Sequence, residues 1–428
     1  MTDSATRRIG ELLAPLTNWE RTRADRPRFT LDTIRALLRR LGQGLEKPAR
    51  FAVQVGGSKG KGSTCAWLAM LASSAGLRVG TYASPHVQTI RERVVLPEGL
   101  CPEEQLVAAV TRALGAAKGL DPAPSAFEVL TAAAAICFAE SRLDLAIWEV
   151  GLGGRLDATT ALPVELSVLT AVELEHTQVL GETIGAIAAE KAHIFRPGAR
   201  GVLGCLGEAA RVAEAHAATV GCRLLVLDRE FGATAAPPAA DGSRELTLWS
   251  TDGVRQSTRV ADAPRHELVL LALAWAALRS LVPDFALPQT LARPGLPGRF
   301  ECLLDRDGQP IVLDGAHTEE STARLAEELA RRWPDRRFAF LYASAKGKRW
   351  REALSRIAPL ADQVVVTELA DTASEDPLTI CDWLRSRGVR VRAVPGAADG
   401  LDALRTHAGP RVVMGSFHLV GELRERIL

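Results

Sequence analysis

Residues 53–64 read Val-Gln-Val-Gly-Gly-Ser-Lys-Gly-Lys-Gly-Ser-Thr. A short apolar run meets a glycine cluster that carries two lysines and then two hydroxyls. Glycines let backbone N–H groups converge on phosphate oxygens. The stretch Cys65 to Ala75 is helix-compatible, and a helix N-terminus adds positive potential. In this reading Gly57, Ser58, Lys59, Gly60, Lys61, Gly62, Ser63 and Thr64 wrap a nucleotide phosphate. Lys61 lies on the outer phosphates, and Ser63 or Thr64 reaches a magnesium ion. The usual spacing G-x-x-x-x-G-K-[ST] is not met, because position 55 is valine and Gly62 separates Lys61 from Ser63. What stands is G-x-x-G-K-G-S, and a glycine-rich turn without a ligand is the competing reading.

Further polar clusters follow apolar runs. Ser84-Pro85-His86 ends a short strand at Val79 to Ala83. Glu149 closes the strand AIWEV and is followed by GLGGRLDAT, 151–159. Glu173, Glu175 and His176 come just past LSVLTAV. In open α/β sheets, ligands bind at the carboxyl ends of strands. A carboxylate ending a buried strand beside a phosphate loop is a second anchor for Mg²⁺. Ser84, Glu149 and His176 can converge on one metal, although Mg²⁺ prefers oxygen over histidine. Later in the chain, Asp314 and His317 stand in LDGAH, and Arg299 in PGR. Asp314 is placed to accept from a ribose, His317 to approach a phosphate, and Arg299 to reach a cleft. An N-cap for Asp314 and a surface ion pair for Arg299 are the plainer alternatives.

Positioning these groups takes two α/β units. Helical spacing runs over 31–41, 103–117, 126–140, 183–195 and 266–281, with strands at 51–55, 79–83, 145–150, 166–172, 201–205 and 223–227. Their alternation predicts a parallel sheet covered on both faces. ELTLWS and VRQSTRV around Thr-Asp-Gly predict a hairpin, and Ala/Pro-rich 232–240 reads as a surface loop. Residues 282–299 hold four prolines and two glycines and read as a linker or hinge. Strands at 311–313, 337–342, 363–367, 389–393 and 411–415 then alternate with helices. The expectation is a larger domain over 1–290 and a smaller Rossmann-like one over 291–428.

The 428 residues carry a formal charge of +1, which points to neither a nucleic-acid nor a membrane surface. Seven scattered cysteines form no C-x-x-C pair and read as buried thiols of a cytoplasmic protein. No signal core precedes the first domain, and no apolar stretch is long enough to span a bilayer. No G-x-S-x-G or H-E-x-x-H argues for hydrolysis. Only seven of the 52 basic residues are lysines. Lys191, alone in an Ala/Glu-rich helix, is therefore a weak pointer to chemistry that needs an amine. Lys346 and Lys348 read as a solvated loop.

In this order, VGGSKGKGST, YASPHVQTIRERV, SAFEVLT, WEVGLGGRLDAT, EKAHIF, LPGRFE, VLDGAH and GSFHLV resemble the folylpolyglutamate synthase/dihydrofolate synthase family of Mur-type ligases. The resemblance covers nearly the whole chain. It implies an N-terminal P-loop parallel-sheet ATPase domain and a C-terminal glutamate-ligase domain. It also implies ATP-dependent addition of L-glutamate to dihydropteroate or to a reduced folate, through an acyl phosphate. The implied metal positions are Ser84, Glu149, His176 and Lys191, the last as a carbamate, with two Mg²⁺ ions. Lys61, Lys191 and His176 are the implied catalytic residues. Arg299, Asp314 and His317 match ATP contacts. Arg28, Phe29, Thr30 and Leu31, Ser125, Ala126, Phe127 and Glu128, and Leu156, Asp157 and Ala158 match places where the pterin is held. A monomer without nucleic-acid or membrane partners is expected. In the implied mechanism the hinge closes over the nucleotide and excludes water. The chain departs from the family at Ser58-Lys59, Glu175, Leu270, Thr318-Glu319 and Ala345-Lys346-Gly347-Lys348. A ligase for another carboxylate and a nucleotide-binding regulatory protein are the rival readings.

Overall fold

In the computed structural model, residues 3–18, 30–42, 44–45, 47–239, 242–261, 264–370 and 372–428 are described. The chain divides into two compact units. One comprises Ser4–His86 and Ile90–Pro294, and the other comprises Gly295–Leu428 together with Val87–Thr89.

The larger unit is built on an eight-stranded sheet. In spatial order its strands are Gly99–Leu100, Val94–Leu96, Val79–Tyr82, Leu143–Glu149, Ala49–Gly56, Leu166–Leu169, Arg200–Leu203 and Arg223–Val226. The six strands from Val79–Tyr82 onward run parallel. The two short ones at the edge are antiparallel and were not foreseen from sequence. Alternation along Ala49–Gly56 sends Val53 and Val55 into one apolar layer, with Trp67 and Leu271, and Ala52 into the other, with the helix Ala126–Glu140. That helix starts at Ser125, whose hydroxyl accepts from the Glu128 amide while the Glu128 carboxylate accepts from the Ser125 amide.

The expected hairpin forms, pairing Arg244–Ser250 with Arg255–Val260. The Ala/Pro-rich reading needs correcting: Phe231–Ala235 is a third strand on that hairpin, and only 236–239 among the described residues of that stretch are loop. Its alternating Phe231, Ala233 and Ala235 give too little apolar contrast to mark a strand; the Trp249 ring packed over Gly232 holds it. Thr290–Leu291, inside the segment read as a linker, adds a short fourth strand.

The smaller unit has a six-stranded sheet in the order Glu301–Leu304, Pro310–Asp314, Arg411–Met414, Phe338–Tyr342, Ala361–Val366 and Arg390–Ala393. The first pair is antiparallel and the rest are parallel. Buried apolar side chains cover both faces. At one end, the buried Asp305 carboxylate accepts three hydrogen bonds from Arg405, at 2.7–3.2 Å, and one from Arg411 at 2.9 Å. Arg411 also pairs with Asp307 at 2.5 Å and donates to the Arg405 and His407 carbonyls. These bonds tie the turn after Glu301–Leu304 to the start of Arg411–Met414.

Candidate active site

Sheet register assembles the site of the larger unit. Val55 lies opposite Glu149, Gly56 opposite Leu169, and Tyr82 opposite Trp148. Four adjacent strands thus deliver Ser84, Glu149, the glycine loop and residues 170–176 to one edge of the sheet. The helix after the loop begins at Lys61, four residues earlier than its composition suggests. Lys61, Gly62, Ser63 and Thr64 therefore form its first turn, where backbone N–H groups have no intrahelical acceptor.

The loop is held from the side by residues 170–173. Ser58 N donates to Ala171 O at 2.6 Å, and the Ser58 hydroxyl bonds to Glu173 N and O at 3.0 and 3.2 Å. Thr170 Oγ1 donates to Lys59 O at 2.7 Å. Gly57, with φ +142°, leaves room for that threonine, since a Cβ would come within 2.0 Å of Thr170 Oγ1. Gly60, with φ +86°, lies under Leu270, whose Cδ2 a Cβ would meet at 2.7 Å.

Lysines converge on this loop. Lys61 Nζ donates to Gly57 O at 2.9 Å, and Lys191 Nζ donates to the same oxygen at 3.2 Å. Lys191 is only 2 % exposed and pairs with Glu175 Oε1 at 3.0 Å. Burial, reinforced by the charge of Lys61, pushes the Lys191 amine down to about 8, against the pull of Glu175. Burial raises Glu175, but the charges of Lys191, Lys61 and Lys59 outweigh it and hold that carboxyl below its ordinary value.

Glu149 is buried at the end of its strand and accepts from the Ser84 amide at 3.1 Å. His176 follows Glu175 with φ +47°, at the start of the short helix Thr177–Leu180. Among the described residues, no three His, Cys, Asp or Glu side chains gather closely enough to hold a metal ion. The oxygen donors of Glu149 and Ser84 nevertheless have the hard character that Mg²⁺ requires.

The third region joins the Ser125 cap to GLGGRLDAT. Gly151 is packed against Phe127, and a Cβ there would lie 2.6 Å from the ring. Asp157 accepts from the amides of Gly151, Leu152 and Thr159, each at 3.0 Å, and from Thr159 Oγ1 at 2.6 Å. Burial raises its carboxyl above the ordinary aspartate value, and these hydrogen bonds act the other way. Gly154 touches the backbone of the Lys191 helix; a Cβ would stand 2.7 Å from Lys191 O and 2.9 Å from Glu190 O. Gly154→Ala is expected to destabilise the larger unit by about 1–3 kcal/mol through overpacking and to lower activity by displacing Lys191. Unchanged urea unfolding together with unchanged kcat would refute the close approach. Leu156 and Ala158 flank Asp157, and Thr30 and Leu31 lead into the helix Asp32–Leu41. Arg28 and Phe29 lie outside the described residues.

In the smaller unit, Asp314 accepts from Phe300 N and Ala316 N, both at 2.7 Å. It stitches the Gly298-Arg299-Phe300 turn to the Gly315-Ala316-His317 turn. The helix beyond is capped by Thr318 and Ser321, so the N-cap reading of Asp314 is set aside. His317 Nδ1 contacts Gly315 O at 2.8 Å, and the Arg299 guanidinium sits 5.0 Å from the Phe417 ring centroid. Residues 345–348 form a turn in which Gly347 N donates to Glu375.

Two buried groups escaped the sequence reading. Glu267 accepts from Ser63 Oγ at 3.1 Å, Trp67 Nε1 at 2.8 Å and Arg293 at 3.4 Å, locking the Lys61–Ser74 helix to Arg265–Leu281. Gln54 is the other, and its only signal was being the one polar residue in FAVQVG.

Among known families, the Mur ligase glutamate ligase domain matches residues 298–417. The dihydrofolate synthase/folylpolyglutamate synthase of Bacillus subtilis (strain 168) is 31% identical over 354 residues, 78% of this chain and 80% of that protein. Escherichia coli FolC in complex with DHPP and ADP superposes with a TM-score of 0.83 at 25% identity, covering 99% of each chain. The bifunctional folylpolyglutamate synthase/dihydrofolate synthase of Yersinia pestis, complexed with AMPPNP and Mn ion, gives 0.81 at 25% identity over 100% of this chain and 99% of that one.

Proposed function

The chain belongs to the dihydrofolate synthase/folylpolyglutamate synthase family, and on that premise we propose that it joins L-glutamate to dihydropteroate or to a glutamylated reduced folate. It is an ATP-dependent ligase. The reaction passes its acceptor carboxylate through an acyl phosphate, which the glutamate amine attacks with release of phosphate. The observation that carries this reading is the convergence of Lys61 and Lys191 on Gly57 O, beside the Glu149–Ser84 bond and within one turn of a helix N-terminus.

Each part has a physical task. The glycine loop offers amides to the triphosphate. Lys61 gives up its bond to Gly57 O and lies against the transferring phosphoryl group, where a preorganised cation offsets developing charge. Glu149, Ser84, His176 and Lys191 would hold Mg²⁺, which when bound neutralises phosphate charge. A purely cationic Lys191 does not suit that role. Its amine, held near 8, contains on the order of a few hundredfold more of the neutral form at pH 7 than an ordinary lysine. Addition of that amine to CO₂, with loss of one proton, gives a carbamate with two oxygen ligands. Phe127, Gly151 and the Asp157 loop form the acceptor side, and Ser125 and Glu128 hold Phe127 in place. Asp314 shapes the turn that presents Arg299 and His317 for ATP.

Supplying the purified protein with ATP, Mg²⁺ and labelled glutamate, and offering dihydropteroate and reduced folates separately, tests the assignment. Glutamate-dependent ADP release with labelled product from at least one acceptor is expected. Product from neither acceptor would overturn the folate reading.

A further inference from the structure

Beside the Asp157 loop lies a polar chain made mostly of buried side chains. Gln54 sits at the centre of Ala49–Gly56 and is fully buried. Its Oε1 accepts from the Arg196 guanidinium. Its Nε2 donates to Thr159 Oγ1 and to Thr160 Oγ1, both at 2.8 Å. The amide orientation is forced, because a guanidinium has five donors and no acceptor. Each threonine hydroxyl, having accepted from Gln54, passes its own proton onward. Thr159 Oγ1 donates to Asp157 Oδ1 at 2.6 Å, and Thr160 Oγ1 donates to Gly154 O at 2.7 Å.

The chain therefore runs one way, from a cation to a carboxylate. Hydrogen bonds aligned in this sense polarise one another. Burial and the charge of Arg35 push Arg196 down to about 10. It also donates to Leu162 O, just past the threonines. The two ends that the chain fixes are the loop under Phe127 and the glycine against the Lys191 helix.

We propose that Gln54 is a positioning residue for the acceptor: by setting the proton direction in Thr159 and Thr160, it holds Asp157 and Gly154 in the arrangement that receives the pterin end. This rests on the reading of 125–128 and 156–158 as the acceptor side. Gln54 touches no reacting atom. The glycine loop itself is held by Thr170 and Ala171, so the chain acts on the acceptor KM and not on the ATP KM, and any disturbance passed through Gly154 to Lys191 falls on kcat.

Steady-state kinetics of Gln54→Leu, Thr159→Val and the double variant test this, with KM measured separately for acceptor and for ATP. Each single variant is expected to raise the acceptor KM about tenfold, the effect of one lost buried hydrogen bond, with the ATP KM within about twofold of wild type. The double variant is expected to be no worse than the single ones, since both cut the same chain. Should Gln54→Leu fail to fold, Gln54→Glu keeps the acceptor for Arg196 and removes the donors to the threonines, and the same selective rise is expected. Both KM values rising together, fully multiplicative effects in the double variant, or an unchanged acceptor KM would overturn the relay. Asp157→Asn separates this from the larger reading. If it raises the acceptor KM and Gln54→Leu does not, the relay alone fails. If Asp157→Asn itself leaves the acceptor KM unchanged, the acceptor-side assignment fails and the relay with it.

Discussion

Lys191→Ala is expected to lower kcat by at least about two to three orders of magnitude, the loss typical of removing one preorganised charge-stabilising group. The fold should tolerate the change. Lys191 is buried with two hydrogen bonds, to Gly57 O and Glu175, but both partners remain tied or partly solvated when it goes. Glu175 also faces Lys61 and Lys59, so its charge keeps a counterion. The informative part is the rescue. If Lys191 acts as a carbamate, acetate or formate should restore part of the lost rate to Lys191→Ala, by returning a carboxylate to the cavity. In wild type, bicarbonate should raise activity, and more so as pH rises through about 8, because only the neutral amine adds to CO₂. The sign follows from the lowered pKa: protons compete with CO₂ below it and no longer do so above it. Full activity in Lys191→Ala would refute any catalytic role. An inactive variant that no small carboxylate rescues would leave Lys191 as a cation and refute the carbamate.

Asp305→Ala should produce the largest loss of stability, about 3–5 kcal/mol, because it takes the buried anion from Arg411 and most of the Arg405 fork and leaves them only the more exposed Asp307 and Asp402. Burial alone would raise the Asp305 carboxyl. The hydrogen bonds from Arg405 and the Arg306 amide, with the charges of Arg405 and Arg411, outweigh burial and hold it below the ordinary aspartate value. A carboxyl depressed in the folded state stabilises fully above its unfolded value near 3.8. That contribution is lost as pH falls through the folded value. Urea unfolding of the full chain, followed by a probe in the smaller unit, should show the wild-type transition weakening in acid. In Asp305→Ala the transition should come early at every pH. A loss below about 1 kcal/mol at pH 7 would show that Asp307 and backbone carbonyls suffice for Arg411.

The alternation of strands and helices was legible because each obeys its own period, and the helices placed at 31–41, 103–117, 126–140 and 266–281 lie within a residue or two of where spacing puts them, whereas Gly207–Val220 was not read at all. The antiparallel edge strands Val94–Leu96 and Gly99–Leu100 were not legible: they are short, and pairing makes them strands, the first with Val79–Tyr82 and the second with the first. Gln54 and Glu267 were missed for a related reason. A polar residue in an apolar element has no distinguishing pattern until its partners, most of them more than a hundred residues away, are brought beside it.

By itself the sequence determined the ligase family, the glycine-rich loop and the residue types at the carboxyl ends of the strands. Those are local statements, carried by glycines that permit close backbone approach and by motifs of contiguous residues. The tertiary structure decided the states of those residues. Whether Lys191 is an ordinary cation or an amine near 8 depends on burial and on Lys61, which lies 130 positions earlier in the chain. Likewise, Asp157 organises its own loop rather than standing free because Thr159 and three amides fill its oxygens. Charge state and proton direction are properties of a surrounding dielectric and a set of partners, and only the folded chain supplies both.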